Sequence, residues 1–224
     1  MPLPLQPLTG TGELGKRSRC GIQKHWPLKN KADYYLHWDY IQKVNYAVQD
    51  FNKFVAGKRD LTQEDVVFAI VLTDWIDNGV EKTVSCYRSD ITSMFAYSRQ
   101  EDMLQMRKFF RAVRSFVSAH PLDTNRHPDF GLEGSLFCID IRGKGNVLHF
   151  INSNMYKLTP AGLAKVCDLE AFDTILYAYS KNDDGVFYHR IGVELDDIRR
   201  FASLCIDKLY EFDMFLGGLK KRDF

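Results

Sequence analysis

Between Gln100 and Pro121 the apolar residues fall at helical steps and then meet a proline. Met103, Met106, Phe109, Phe110, Val113, Phe116 and Val117 have the spacing that lays one apolar stripe along an α-helix. That helix must end at His120, because the residue before a proline is pushed out of the α region. A chain that buries such a stripe needs other amphipathic elements to cover it, and the preceding sequence supplies them. From Ala32 to Ala56 a second stripe runs through Tyr35, Trp38, Ile41, Val44, Val48 and Phe51, with Gly57 as its stop. Thr62 followed three residues later by Asp65 reads as a variant capping box. Val66, Ala69, Ile70, Trp75, Ile76 and Val80 then carry a helix to about Cys86, and a shorter helical piece follows around Asp90 to Tyr97.

After a stretch of loop chemistry at 121–134 the period changes from helix to strand. Ser135–Ile141, Val147–Phe150, Thr174–Ser180 and Val186–Glu194 read as strands, with Lys181–Gly185 as a hairpin turn between the last two. Thr159-Pro160 predicts a short helix to about Leu169, threonine capping and proline at the first position. A final helix is expected from Asp196 to about Leu216. The fold class is α+β: a helical bundle, a small antiparallel sheet and a closing C-terminal helix. Residues 1–30, rich in Pro, Gly and basic side chains, read as an irregular arm that Trp26 could lay over the domain. Residues 31–127 form the bundle, and 128–224 add the sheet and last helix in one compact unit.

Composition narrows the function classes. A net charge of +1 gives no whole-protein attraction to nucleic acid, so any polyanion site must be a local patch. The five cysteines are odd in number and form no CxxC or CxxH pair, which argues against a disulfide framework and a structural zinc site. The longest apolar run, Val66–Leu72, is too short to span a bilayer. Residues 1–8 lack the charged start and continuous apolar core of a signal peptide, so the cytoplasm is the expected compartment.

On the helix before Pro121, Arg107, Arg111 and Arg114 recur at i, i+4 and i+7 as one basic row that Ser118 continues. His120 lies six residues beyond Arg114, roughly 120° around and about 9 Å along an ideal helix. The residues alone leave two readings open. On ideal spacing His120 falls almost beneath Val113 as a core histidine, and the arginines are a solvated face. Alternatively Pro121 turns the imidazole towards Arg114, and the two share one concavity.

The stretch FRAVRSFVSAHPLDTNRH, 110–127, resembles the motif of the HEPN superfamily (higher eukaryote and prokaryote nucleotide-binding domains). There an arginine, often followed by a polar residue, precedes a histidine by four to six positions late in a helical bundle. Arg114, Ser115 and His120 occupy those places, and the resemblance covers about 32–127. It implies metal-independent cleavage of RNA, as in toxins and phage-defence effectors, with no metal and no cofactor. It also implies a homodimer that brings two Arg–His motifs together, with an antitoxin or regulatory protein as a further class of partner. His120 would be the general acid or base, Arg114 the phosphate clamp and Ser115 a substrate-orienting group. Arg107, Lys108 and Arg111 would extend the RNA groove. In the loop just after the motif, Arg126 and His127 could supply a phosphate contact or a second imidazole, or stand as exposed bystanders. The other reading is a non-catalytic helical dimerisation module, or a regulator that binds RNA or nucleotide without cutting it.

Remaining polar residues have simpler expected roles. Asp123 and Thr124 organise a turn, Asp140 and Arg142 fit a strand-end ion pair, and Gly143–Asn146 reads as a hairpin loop. Tyr188, His189 and Arg190 alternate faces of a strand, Asp196 and Asp197 suit a helix N-terminus, and Asp74 with Asp77 could make a polar patch. No GxSxG, HExxH, Rossmann or P-loop pattern occurs.

Overall fold

The capping box at Thr62 forms as a reciprocal pair. In the computed structural model of the chain, the Thr62 N–H donates to the Asp65 carboxylate at 2.9 Å, and the Asp65 N–H donates to the Thr62 hydroxyl at 3.3 Å. Both donors lie where the helix ladder has no carbonyl for them. Thr62→Ala is expected to cost about 1 kcal/mol, read as a lower urea midpoint at unchanged slope.

The structure describes residues 6–8, 21–26, 31–57, 61–119, 139–141, 154–167, 172 and 174–219. Its helices are α1 (Gly21–Lys24), α2 (Lys31–Ala56), α3 (Gln63–Ser85), α4 (Ser89–Phe95), α5 (Glu101–Arg114) and α6 (Leu195–Gly218). A 3-10 turn spans Tyr97–Arg99, and a wider π turn, Ser115–Ala119, continues α5. The strands are β1 (Ile139–Ile141), β2 (Asn154–Thr159), β3 (Gly162–Lys165), β4 (Thr174–Asn182) and β5 (Gly185–Val193). The α+β class is as the periodicity predicts. Among the described residues no helix is long and apolar enough to cross a membrane.

The chain divides into two compact units, each discontinuous in sequence. One comprises Met1–Gln6, Gly57–Val71 and Gln105–Arg199; the other comprises Pro7–Ala56, Leu72–Leu104 and Arg200–Phe224.

The first unit holds a five-stranded sheet in the order β1-β4-β5-β2-β3. Hairpins set two of its four pairings, β2–β3 and β4–β5; β1–β4 is also antiparallel, whereas β2 and β5 run parallel, with Tyr156 opposite Ile191. The sheet is therefore mixed and not purely antiparallel. A tight turn dictates direction only across itself, and no turn joins β2 to β5. The hairpin expected at 181–185 forms around Asp183 and Asp184, with Asn182 opposite Gly185.

The short helix expected at Thr159–Leu169 is instead the β2–β3 hairpin, with Thr159 opposite Gly162. The φ that proline fixes serves equally at the first position of a helix and at the second residue of a turn. Gly162 decides the matter, because it adopts φ +128°, a region that glycine alone enters freely. The Thr159 hydroxyl closes the turn by donating to the Gly162 carbonyl at 3.1 Å. The strand expected at 147–150 lies outside the described residues. Of this unit's residues, Val66, Ile70, Phe109, Phe110, Val113, Phe116, Leu158, Leu176, Ile191 and Ile198 are buried.

In the second unit the N-terminal arm contains α1, which is docked and not merely draped. The Ile22 N–H donates to the Asp213 carboxylate at 2.8 Å, and the Tyr87 hydroxyl donates to the Ile22 carbonyl at 2.9 Å. Gly21 permits this approach, since a Cβ there would strike the Asp213 carbonyl. Trp26 meets His37 and Trp38 edge-on, with ring centroids 6.2 and 6.1 Å apart. Phe212 is fully buried among Tyr87, Phe95 and Phe215.

Candidate functional site

The basic row on α5 splits once the helix is packed. Arg107 lies four residues after Met103 and three before Phe110, both fully buried, and is itself only 5% exposed. Lys108 and Arg111 are exposed, and Arg114 is half-buried. Spacing groups the three arginines on one side of the helix, but the boundary of the buried face falls between Arg107 and Arg111. Lys108 and Arg111, three residues apart, are therefore the outward cations of this helix. Arg107, Lys108, Arg114 and Ser115 all make further interactions within the chain.

At Arg114 the helix changes pitch. The π turn Ser115–Ala119 begins at the next residue, so the steps beyond Arg114 rotate by less than the roughly 100° of an α-helix. The Ser118 hydroxyl donates to the Arg114 carbonyl at 3.2 Å, a bond that helps to open and bend a helix locally. A residue seven positions after another no longer stacks beneath it when the intervening turn is wide. Such single wide turns recur at functional sites in helices. Ser115 is 4% exposed, so its hydroxyl faces the interior, whereas Ser118 is exposed. His120, Arg126 and His127 lie outside the described residues, as do Asp123, Thr124, Arg142 and Gly143–Asn146.

The other polar residues singled out in the sequence resolve into structural roles where they are described. Asp77 does not share a surface patch with Asp74: it is 4% exposed and accepts from the Tyr97 hydroxyl at 3.1 Å. The Cys205 thiol donates to the same carboxylate oxygen at 3.8 Å. Asp196 and Asp197 stand in the first turn of α6, where the helix dipole favours them, and Asp196 pairs with Arg199 at 2.7 Å. Among the described residues no group of three or more His, Cys, Asp or Glu side chains is placed to hold a metal ion.

His189 sits in β5 at 9% exposure, with the Tyr156 ring 5.8 Å away edge-on. Burial pushes its imidazole below the usual value. An unfolded histidine protonates near pH ~6.5, so the unfolded state takes up a proton first on acidification. The stability linked to His189 is therefore complete above about pH 6.5 and declines as the pH falls through the lower folded-state pKa. Urea melts at pH 7.5 and 5.5 should show a smaller acid loss in His189→Gln than in the parent protein.

Sequence reasoning passed over the hydroxyl-rich run from Ser85 to Ser98, which lines a cavity at the end of α3. The signal was available as composition, because serine and threonine recur there at nearly every turn. Such residues also belong at helix ends, and that ordinary use conceals a pocket. Compared with known proteins, the chain matches no protein-family model, no curated protein and no solved structure.

Proposed function

We propose that this protein is a metal-independent endoribonuclease of the HEPN type, acting in the cytoplasm as a homodimer. The observation that carries the reading is the half-buried Arg114 at the switch from α to π geometry, preceded by the exposed cations Lys108 and Arg111. A guanidinium with restricted freedom suits a bidentate grip on a phosphate, and outward cations suit the neighbouring phosphates of a polyanion. The predominance of helix among the described residues and the capped α3 support an HEPN-like bundle elaborated by the sheet.

In this reaction the RNA 2′-oxygen attacks the adjacent phosphorus as its proton leaves. The bond to the 5′-oxygen breaks, giving a 2′,3′-cyclic phosphate and a 5′-hydroxyl end. Histidine is the side chain whose ordinary pKa allows proton transfer in either direction near neutrality. His120 takes that role, and Arg114 stabilises the charge that grows on the phosphoryl oxygens. Arg111 and Lys108 hold the RNA backbone, and Arg126 and His127 add phosphate contacts. Because Arg107 and Ser115 are buried, they serve the shape of the helix and not direct contact with RNA. RNA is the substrate, and an antitoxin-like protein is the natural means of restraint.

The test is cleavage of single-stranded RNA by purified protein in excess chelator, with the ends of the products identified. Cyclic phosphate ends, and their loss in His120→Ala, are the expected result. Equal cleavage by His120→Ala would end the catalytic reading. The burial of Arg107 and Ser115 leaves fewer side chains for RNA, and the alternative is a non-catalytic helical dimerisation module. It is the reading to adopt if the dimer persists and no RNA is cut.

A further inference from the structure

In the second unit, α2 buries Ile41, Val44, Val48 and Phe51 on one side. The midline of its opposite, exposed side is held by Tyr46, which is 59% exposed. A single exposed aromatic residue means little. What sets Tyr46 apart is the order of the charges around it.

Asp39 lies seven residues before Tyr46, and Lys53 lies seven after it. Lys43 precedes Tyr46 by three residues and Asp50 follows it by four, while Gln42 precedes it by four and Gln49 follows it by three. At about 100° per residue, Asp39 and Lys53 fall within about 20° of the Tyr46 line. Lys43 and Asp50 then share one flank of the face, and Gln42 and Gln49 share the other. Turned end for end, the row presents a base wherever it presented an acid, and an amide where it presented an amide. An isologous contact between antiparallel helices requires this, because each residue meets the one at the opposite distance from the axis. Asp39 then faces Lys53 of a second copy, Lys43 faces Asp50, Gln42 faces Gln49, and Tyr46 meets its own equivalent. A parallel copy would set acid against acid and base against base. The order of charges therefore selects a direction as well as an occupant.

The groups of this face are already in place. The Lys43 Nζ lies 3.2 Å from the centroid of the Trp75 ring, an indole on α3 that is 38% exposed. That ring steadies the ammonium and extends aromatic ground along the same flank. Asp50 accepts from Lys53 of its own helix through Oδ1 at 2.9 Å, which leaves Oδ2 for a second cation. Asp39 is exposed and has no ion pair or hydrogen bond among the described residues.

We propose that the exposed face of α2 docks antiparallel against the same face of a second copy, on a two-fold axis between the two Tyr46 side chains. This gives the homodimer of the nuclease reading a surface, and it rests on that reading only for the number of copies. From Asp39 to Lys53 the face is roughly 21 Å long, and a contact of that size belongs to reversible association. Sedimentation equilibrium on the full chain reads mass and not cleavage, so the two proposals can fail separately. The measurement is made in about 10 mM salt, where charges act over about 30 Å.

The parent chain should dimerise, and Tyr46→Glu should weaken the dimer at least about tenfold by setting two carboxylates on the axis. Asp39→Lys alone places like charges at both Asp39–Lys53 contacts, and so does Lys53→Glu alone. Each should weaken the dimer at least about tenfold. An equimolar mixture of those two variants restores opposite charges at both contacts, and should associate about as tightly as the parent. Damage to the fold cannot produce that recovery, since mixing repairs neither chain. A parent that stays monomeric up to about 1 mM would overturn the proposal, as would a mixture no tighter than either variant alone. A dimer that survives all three substitutions would sink this face and leave the nuclease reading standing.

Discussion

Phe212→Ala is expected to lower stability by about 3–5 kcal/mol, a large share of the 5–15 kcal/mol typical of a folded protein. The ring is fully buried. Its centroid lies 5.1 Å from Tyr87 at 83°, 5.0 Å from Phe95 and 6.3 Å from Phe215. Edge-to-face contacts of this kind contribute about 0.5–1.5 kcal/mol beyond the area they bury. Truncation also deprives Tyr87 of the surface that holds its ring, and the Tyr87 hydroxyl fixes the carbonyl of Ile22. The damage should therefore spread to α1, and the Trp26 environment should report it. Urea denaturation followed by tryptophan fluorescence measures both effects. Phe212→Leu retains much of the volume and is expected to cost clearly less. A loss below about 1 kcal/mol in the alanine variant would show that the site collapses around the missing ring.

The other large effect concerns chemistry. Arg114→Ala is expected to reduce RNA cleavage by about 10²–10³-fold, the usual consequence of removing one group that stabilises transition-state charge. Arg114→Lys should recover only part of that loss, because an ammonium cannot reproduce a bidentate grip. The decisive comparison is with Arg107→Ala. Arg107 is buried, so its removal should appear in the melting temperature before it appears in the cleavage rate of the folded fraction. Arg111→Ala should do the opposite, raising KM and leaving the melting temperature nearly unchanged. If all three variants lose stability and activity in proportion, the arginines serve the fold alone and the nuclease proposal fails.

What was legible in the sequence depended on whether a local rule settled the matter. The start of α3 was legible because Thr62 and Asp65 satisfy each other's backbone donors within four residues. The β4–β5 hairpin was legible because its turn residues leave few alternatives. At Thr159-Pro160 two local rules agreed with the same residues, and only Gly162 separated turn from helix. The parallel pairing of β2 with β5 has no local signature, as it joins strands that no single turn connects. The arginine row shows the same limit. Spacing gave its angular position correctly, but whether a position is covered depends on what packs opposite, and Arg107 is covered. The hollow beside α4 was invisible for a related reason, since it is a half-open space bordered by three separate elements.

The alternation of segments between the two compact units bears on how the protein is made. The second unit needs Pro7–Ala56, which are synthesised before the sheet, and Arg200–Phe224, which are synthesised after it. Its early helices must wait through synthesis of the whole sheet before α6 arrives to cover Tyr87 and Phe95. During that interval their apolar faces are exposed, as in the aggregation-prone intermediates of larger chains. A chain truncated between the sheet and α6 should therefore bind a chaperone that the chain carrying α6 does not need.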